Sequence, residues 1–197
     1  MDGPSRRVPK QERARKKHQA LLDAGLAEFS AREYPDVTAK SIAKAAGVSV
    51  GTFYEYFESK DVLLRAVQEA QLKGFMERVV DEDATDLADA IRRGLALTYA
   101  FHKEQPRLHA TVEYRRRFDP DLAALTQMLN TAILERIRSA LDRWNVPGGE
   151  AVAFSVVAMA EGLVHRIVFD APPADPELLL EQGAKILLGV LATGDDQ

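Results

Sequence analysis

The sequence of 197 residues contains no cysteine and a single tryptophan. Without cysteine, the chain forms no disulfide, no thiolate-ligated zinc or iron–sulfur centre and no thiol nucleophile. No uninterrupted apolar run approaches the ~18 residues of a membrane-spanning helix, and the polar, basic start lacks the apolar centre of a signal peptide. We therefore expect a cytoplasmic protein that has no membrane partner.

The charge is unevenly distributed along the chain. Hydrophobic residues make up 46% and charged residues 28%, a balance typical of a folded globular protein. The net charge is −4, yet residues 1–65 carry 12 basic and 9 acidic side chains, against 14 and 21 in residues 66–197. An acidic protein with a basic front end is typical of a chain that meets a polyanion through that end only, although a disordered, solvated tail has the same composition.

Helical periodicity runs through the whole sequence. Apolar residues recur at spacings of three and four in residues 11–34, in the short stretches 39–46 and 50–56, in 59–79, and in five further segments that end at prolines or turn residues. The run 163–169 is locally strand-like, but it continues a helical pattern. We therefore predict nine helices and no strand, which is an all-α fold.

Residues 38–57 read TAKSIAKAAGVSVGTFYEYF and predict two short helices joined by a Gly-Val-Ser turn. Thr38 and Ser49 are suitable N-caps, because their hydroxyl groups accept from free backbone N–H groups, and Gly47 tolerates the positive φ of a helix end. A glycine in a short turn between two short helices is typical of a helix-turn-helix. The alternative is an ordinary corner between two helices of a bundle.

The second helix of this motif has the chemistry of a DNA-reading element. Ser49, Thr52, Tyr54 and Tyr56 have compact or flat hydrogen-bonding side chains that suit phosphate oxygens and base edges. Lys60 stands at the start of the following helix, where its charge and the helix dipole both favour a phosphate. Packing alone does not explain this cluster of polar residues, so we favour DNA binding.

The segment Val37–Val67 resembles the DNA-binding domain of the tetracycline-repressor (TetR) family of bacterial regulators, and Leu21–Phe29 is similar to that family's first helix. The resemblance covers about residues 12–67 and rests on the pattern GVS-x-GT-x-Y-x-YF-x-SK. It implies an all-α homodimer in which a three-helix DNA-binding domain precedes a ligand-binding and dimerisation domain of about six helices. It also implies repression of transcription that is relieved when a small molecule binds.

On this resemblance we expect a basic, disordered arm at 1–10, a DNA-binding domain at 11–65 and a ligand-binding and dimerisation domain at 66–197. The operator would be a palindromic stretch of double-stranded DNA. The positions that match DNA contacts in the family are Thr38, Lys40, Ser49, Val50, Gly51, Thr52, Tyr54, Tyr56 and Lys60.

Four charged features have more than one interpretation. Glu55 either accepts from a cytosine amino group or lies in solvent, where a base such as Lys60 is close enough to pair with it. The segment Arg6–Lys17 either adds phosphate or minor-groove contacts or is a solvated tail. The run Arg115–Arg117 holds an anionic ligand or forms a solvated face, and Glu161 either meets a cationic ligand or pairs with a histidine four residues on.

The last two apolar stripes, about 149–169 and 175–193, contain small residues that allow helices to approach closely. The resemblance implies that they form a dimer interface of four helices, and the alternative is that they complete the core of the monomer. A helix-turn-helix protein normally reads a two-fold DNA site as a dimer, which favours the interface.

The remaining helices of the second domain are expected to enclose an apolar ligand pocket with a few polar anchors. For any one candidate residue, general burial tendencies favour a place in a filled core over a place in the pocket lining. The candidates are Phe75, Met76, Tyr99, Phe101, His102, Leu108, Val112, Leu125, Met128, Leu129, Phe154, Met159, Glu161 and His165.

Catalytic patterns are absent from the sequence. The four histidines, His18, His102, His109 and His165, are scattered without metal-ligand spacing, so we predict no metal site and no cofactor. There is no G-x-S-x-G elbow, and the glycine-containing turn after residue 46 lacks the lysine of a phosphate-binding loop. An enzyme and a helical protein-interaction module remain as the alternatives to a DNA-binding regulator.

Overall fold

A computed structural model of the chain describes residues 10–80 and 83–192. Across these residues the chain forms nine α-helices, one short 3-10 helix and no strand, which confirms the predicted all-α fold. The helices are α1 (Lys10–Ala31), α2 (Ala39–Ala45), α3 (Val50–Tyr56), α4 (Lys60–Val79), α5 (Leu87–Glu104), α6 (Pro106–Arg115), α7 (Pro120–Arg143), α8 (Gly149–Phe169) and α9 (Pro176–Ala192), with the 3-10 turn at Tyr34–Asp36.

The basic N-terminal segment is partly helical. Residues 11–17 belong to the first turns of α1, and Arg13, Arg15, Lys16 and Lys17 are exposed there. The rest of Arg6–Lys17, and the predicted arm at 1–10 apart from the backbone of residue 10, lie outside the described residues.

Side-chain caps begin the short helices where the sequence predicts them. Thr38 Oγ1 accepts from the Ser41 backbone N–H at 3.0 Å, and Ser41 Oγ accepts in return from the Thr38 N–H at 3.2 Å. Ser49 Oγ accepts from the Thr52 N–H at 3.0 Å, and Ser59 caps α4 in the same way. Such caps matter because each typically contributes about 1 kcal/mol, and helices as short as α2 and α3 have little other local stability.

The core of the first three helices continues into the second half of the chain. α4 runs without a break through the expected boundary at residues 65–66, and it packs against both α1 and α7. The first four helices contribute buried side chains to this shared core that include Leu21, Phe29, Ile42, Phe53, Leu63, Leu64 and Val67, and the segments between these helices add Val37 and Phe57. The second half contributes Leu108, Val112 and Leu122 from α6 and α7. The two predicted domains therefore share a helix and a core.

A polar network connects α4 to α6 beside this core. Arg115 Nη2 donates to Asp61 Oδ1 at 2.6 Å, and the Tyr34 hydroxyl donates to the same carboxylate oxygen. The Arg115 guanidinium lies 4.5 Å from the centre of the Tyr34 ring, within the range of a cation–π contact. Arg116 pairs with Glu113 at 2.7 Å. The arginine run therefore includes a link between the two domains, which neither of our sequence interpretations included.

A second link positions the start of α7. Arg65 Nη1 donates to both carboxylate oxygens of Asp119, at 2.9 and 3.0 Å. Asp119 Oδ1 also accepts from the Leu122 backbone N–H at 3.0 Å, so the same side chain caps α7. One carboxylate thus fixes the first turn of α7 against α4.

Small residues allow α8 and α9 to pack closely, as predicted. A Cβ added at Gly183 would lie 2.3 Å from Leu163 Cδ2, so only glycine fits there without displacing Leu163. The opposite face of α8 is exposed, and α8 as a whole is long and apolar enough to cross a membrane. Our search for an uninterrupted apolar run missed α8 because charged residues divide it. One helix of this kind is weak evidence for a membrane span, because the core helix of a soluble protein passes the same test of length and composition.

We expect Asp61→Asn to lower the free energy of unfolding at pH 7 by about 1–3 kcal/mol, because Arg115 and Tyr34 lose a charged acceptor. Burial alone raises the pKa of Asp61, but hydrogen bonds from Tyr34 and Arg115 outweigh burial and hold the pKa below its ordinary 3.8. A carboxyl group of this kind adds stability above its unfolded pKa and loses it as the pH falls through its folded pKa. The difference between wild type and Asp61→Asn should therefore shrink below about pH 4 in urea titrations.

Asp142→Asn is the matched control, because Asp142 forms an exposed pair with Arg138 at 3.2 Å on the surface of α7. Exposed pairs four residues apart contribute only about 0.5 kcal/mol or less. Equal losses in the two variants would contradict a specific role for the network of Tyr34, Asp61 and Arg115.

Candidate DNA interface and ligand cavity

The turn between α2 and α3 has the geometry that the sequence predicts. Gly47 adopts φ +68°, and the Val48 N–H donates to the Ala43 carbonyl at 2.9 Å, which closes the end of α2. Ile42 of α2 and Phe53 of α3 are fully buried in the same hydrophobic cluster, which fixes the angle between the two helices. The predicted helix-turn-helix packing is therefore confirmed, and α3 is held rigidly at the surface.

The predicted DNA-contact residues lie mainly on exposed surface. Tyr54 leaves 57% and Val50 39% of its surface exposed, which is unusual for side chains with so much apolar area. Glu55 is exposed as well. Of the whole predicted set, the exposed members are Thr38, Lys40, Ser49, Val50, Gly51 and Tyr54, and the partly buried ones are Thr52, Tyr56 and Lys60.

Lys60 has structural partners that sequence reasoning missed. Its Nζ donates to the Tyr34 carbonyl at 2.7 Å and to the Val37 carbonyl at 2.8 Å, and it lies 4.1 Å from the centre of the Tyr34 ring. Burial lowers the pKa of Lys60. At most one of its three N–H donors remains for a phosphate, and among the described residues Lys60 forms no ion pair with Glu55.

The second half of the chain encloses a cavity of about 100 Å³ among α4, α5, α7 and α8. A cavity needs only about 10–15 Å³ by this measure to hold one water, so there is room for a small ligand. The lining is mainly apolar and includes Phe75, Val79, Leu87, Ile91, Leu95, Ile133, Ile137, Leu141 and Val156, with Thr98, Arg143, Trp144 and Glu161 as polar members.

Two polar side chains of the lining, Trp144 and Glu161, have unusual surroundings. Nε1 of Trp144 is buried without a hydrogen-bond partner in the described part of the chain. Burial raises the pKa of Glu161, whose carboxyl group is crowded by protein atoms although the residue as a whole keeps exposed surface. The polar members of the lining therefore include a carboxyl group that protonates more readily than usual.

The structure corrects the predicted list of pocket residues. Phe75 and Glu161 line the cavity, whereas Met128, Phe154 and Met159 are 58%, 62% and 40% exposed. The periodicity of a helix shows where its apolar stripe lies but not what covers that stripe. For this reason the sequence prediction placed these three exposed residues in the pocket. The others lie elsewhere: Leu108 and Val112 in the shared core, Met76, Phe101, Leu125 and Leu129 in a cluster around Phe75, and Tyr99 beside Lys103.

Three histidines that the sequence separates lie together in the structure, which overturns our description of them as scattered. The nitrogens that His102, His109 and His165 offer as ligands all lie within 4.8 Å of one another. The turn at Gln105 folds α6 back on α5, which brings His109 to His102, and α8 supplies His165. Motif rules for metal sites mostly describe spacing within one helix or loop and do not detect such a cluster.

The three rings are largely sheltered from water. His109 Nε2 lies 2.9 Å from His165 Nε2, so His165 pairs with another histidine rather than with Glu161. Burial lowers the pKa of His102, and burial together with the neighbouring histidines lowers the pKa of His109 to about 3. Both imidazoles are therefore neutral at neutral pH.

Comparison with known families and proteins gives a consistent result. Residues 21–67 match the family described as "Bacterial regulatory proteins, tetR family", and residues 86–191 match "Tetracyclin repressor-like, C-terminal domain". The fatty acid metabolism regulator protein of Bacillus subtilis is 33% identical over 88 residues, 45% of this chain and 44% of that protein. The HTH-type transcriptional regulator TtgR of Pseudomonas putida is 23% identical over 171 residues, 79% and 81% of the two chains.

Solved structures share the fold over most of their length. A tetR-family transcriptional regulator from Streptomyces coelicolor superposes with a TM-score of 0.76 at 24% identity, covering 92% of this chain and 84% of that one. The fatty acid degradation regulator FadR from Bacillus halodurans gives a TM-score of 0.70 at 18% identity, covering 87% and 94%. Matches to the first curated relatives span less than half of those proteins, 43% and 44%.

We expect Lys60→Ala to destabilise the protein in the absence of DNA by about 1–3 kcal/mol, because the backbone carbonyls of Tyr34 and Val37 lose a charged hydrogen-bond donor. Thermal or urea unfolding of the free protein measures this effect. Lys40→Ala is the control, since Lys40 is exposed and its loss should change stability by less than about 0.5 kcal/mol. A Lys60→Ala protein as stable as Lys40→Ala would contradict the structural role of Lys60.

Proposed function

Because the chain belongs to the tetR family of bacterial regulatory proteins, and is therefore a DNA-binding transcriptional regulator rather than an enzyme, we propose that it acts as a homodimeric repressor. Each subunit reads one half of a palindromic operator through α2 and α3, and a small molecule in the cavity releases the DNA. The protein works in the cytoplasm, where its operator is. The main support is the capped, rigidly packed α3 with its exposed Tyr54.

The proposed DNA surface combines phosphate and base contacts. Lys40 and Tyr54 extend into solvent from the start of α2 and from α3, as groups that reach the sugar–phosphate backbone must. Ser49, Gly51 and Thr52 stand at the end of α3 that enters the major groove in helix-turn-helix proteins. The remaining proposed contacts are Thr38, Val50, Tyr56 and the third N–H of Lys60.

An exposed apolar surface on α8 and α9 supports the proposed dimer. Phe154, Ile186 and Val190 leave 62%, 58% and 57% of their surfaces exposed. A Cβ added at Gly162 or Gly189 would meet no other atom within 4 Å, so open space lies beside these glycines for a partner helix. Covering this surface with a second copy removes apolar area from water and sets the spacing of the two DNA-reading helices near ~34 Å or a multiple of it.

The cavity connects to the DNA surface through one helix. Phe75 and Val79 near the end of α4 line the cavity, and Lys60 and Asp61 at its start hold the turn before α2. A small, mainly apolar effector with a few polar groups fits this lining, whose polar members include Thr98, Trp144 and Glu161. Movement of α4 on effector binding would displace the DNA-binding helices and weaken the contact with the operator.

We expect Lys40→Ala and Tyr54→Ala each to weaken binding to the DNA flanking the protein's own gene by about tenfold, through lost phosphate contacts. Fluorescence anisotropy over a range of salt concentrations measures the effect. Lys40→Ala should also reduce the slope of log affinity against log salt by about 1, since one fewer phosphate is neutralised.

Lys73→Ala is the matched control, because Lys73 is an exposed lysine farther along α4, paired with Glu69. Its removal should leave affinity for the operator unchanged. If the wild type shows no sequence preference at any salt concentration, the proposed function is wrong, and unchanged affinity in both test variants would overturn the assigned contacts.

We expect Ile186→Glu to shift the protein from dimer to monomer in sedimentation equilibrium, because a carboxylate would be buried unpaired at the interface. Phe118→Glu is the control: Phe118 is 65% exposed but lies between α6 and α7, away from the proposed interface. A dimer that persists in Ile186→Glu, or that dissociates equally in both variants, would contradict the assignment of α8 and α9.

A further inference from the structure

The cluster of three histidines lies beside the cavity but is not part of its lining. The ring centre of His102 lies 4.4 Å from that of His109 and 5.2 Å from that of His165, and the ring centres of His109 and His165 are 4.8 Å apart. Each comes from a different helix, α5, α6 or α8. Apolar packing needs no such convergence of three imidazoles, whose ring nitrogens must be desolvated to meet there.

His102 has a free nitrogen at this point. Its Nδ1 lies 2.8 Å from the Thr98 carbonyl, which makes Nδ1 the protonated donor. Its Nε2 is therefore a lone-pair acceptor, and it is buried without a hydrogen-bond partner in a residue that is only 2% exposed. Metal-bound histidines are normally oriented in this way, with the second nitrogen donating to a backbone carbonyl.

The surroundings suit a cation. Nε2 of His102 carries no proton, so it is free to bind a metal ion directly. In the His109–His165 pair one Nε2 donates its proton to the other, and this proton has to leave that nitrogen when both bind a metal. The carboxylates of Glu113 and Glu161 act electrostatically on His102 and His165, while Arg116, which opposes a cation, is paired with Glu113. Phe169 stacks on His109, with ring centres 5.6 Å apart, and limits the access of water.

We propose that His102, His109 and His165 together bind one first-row transition-metal dication of the kind that prefers imidazole, such as Zn²⁺. Zn–N bonds of 2.0–2.1 Å in a tetrahedral site place the nitrogens about 3.3 Å apart. One nitrogen pair is now at 2.9 Å and all lie within 4.8 Å, so side-chain shifts of about 1 Å or less form the site. Three histidines leave the fourth position for water or an anionic ligand.

The metal would act on the helix that joins the two halves of the protein. On one face of α6, Leu108 and Val112 pack in the shared core and Arg115 donates a hydrogen bond to Asp61. The neighbouring face carries His109, which contacts His165. Binding fixes α6 against α5 and α8, and therefore changes how α6 supports the DNA-binding helices. This regulatory half of the inference rests on the proposed function, whereas the metal site does not.

The metal site is tested first without DNA. Tag-free protein is treated with EDTA, dialysed and titrated with ZnCl₂ in a calorimeter, and Co²⁺ is added separately to record the visible bands of tetrahedral nitrogen ligation. We expect one Zn²⁺ per chain. His109→Gln and His165→Gln should each weaken binding by at least about 100-fold, since even residues that only orient a ligand contribute 10- to 100-fold.

His18→Gln is the matched control, because His18 is the fourth histidine of the chain, stacks on Phe57 and does not belong to the cluster. It should bind Zn²⁺ as the wild type does. Circular dichroism confirms that each variant is folded; His109 and His165 are preferred to the buried His102 because both are only partly buried. No stoichiometric Zn²⁺, or equal binding by wild type and His109→Gln, would overturn the site.

The regulatory half is then tested with operator DNA. We expect saturating Zn²⁺ to change the affinity of the wild type for DNA by at least about fivefold, and to leave that of His109→Gln unchanged. Zn²⁺ that binds at the cluster without changing DNA affinity would overturn the regulatory half alone. A protein that binds no operator with or without Zn²⁺ would contradict the proposed function, while the calorimetric result would still decide the metal site.

Discussion

The DNA-binding helices depend on α6, because they have no closed core of their own. Leu108 and Val112 of α6 fill the hydrophobic cluster beneath α1, and Arg115 of the same helix neutralises Asp61 on α4. A partly buried charge is costly unless it is paired, so Asp61 compensates the charge of Arg115, and Arg115 and Tyr34 compensate that of Asp61. The position of α3 at the surface is therefore set by a helix that begins 50 residues after α3 ends.

This arrangement gives the second half of the chain two ways to act on the first. α4 carries cavity-lining residues near its end and the anchors of the turn before α2 at its start, so the same helix contacts both halves. In the proposed mechanism, movement of α4 transmits effector binding to the DNA-binding helices. α6 presents one face to the shared core and the next to α5 and α8. A packed core responds to a ligand by shifting between discrete arrangements rather than by deforming locally, which suits a regulator.

Three buried side-chain nitrogens lack a hydrogen-bond partner in the described part of the chain, and one of them is Arg115 Nε in the network with Asp61. Trp144 Nε1 lies beside the cavity, and His102 Nε2 lies in the histidine cluster; neither has a partner in the described part of the chain. Leaving such a group unpaired costs about 1–3 kcal/mol, and buried polar groups of folded proteins are otherwise almost always paired. The apolar surface of α8 is the reverse case, because there apolar side chains are exposed to water rather than polar atoms buried without partners.

The sequence by itself determined the helices, their caps and the helix-turn-helix, because these depend on residues within a few positions of one another. Thr38 and Ser49 cap the two short helices and Gly47 adopts a positive φ in the turn between them, as their side chains predict. The apolar periodicity likewise shows which stripe of each helix avoids water. Only the tertiary structure decided that Arg115 meets Asp61 across 54 positions, and that His109 meets His165 across 56. Such meetings follow from how whole helices pack, and helix packing depends on the summed contacts of many side chains rather than on any local pattern.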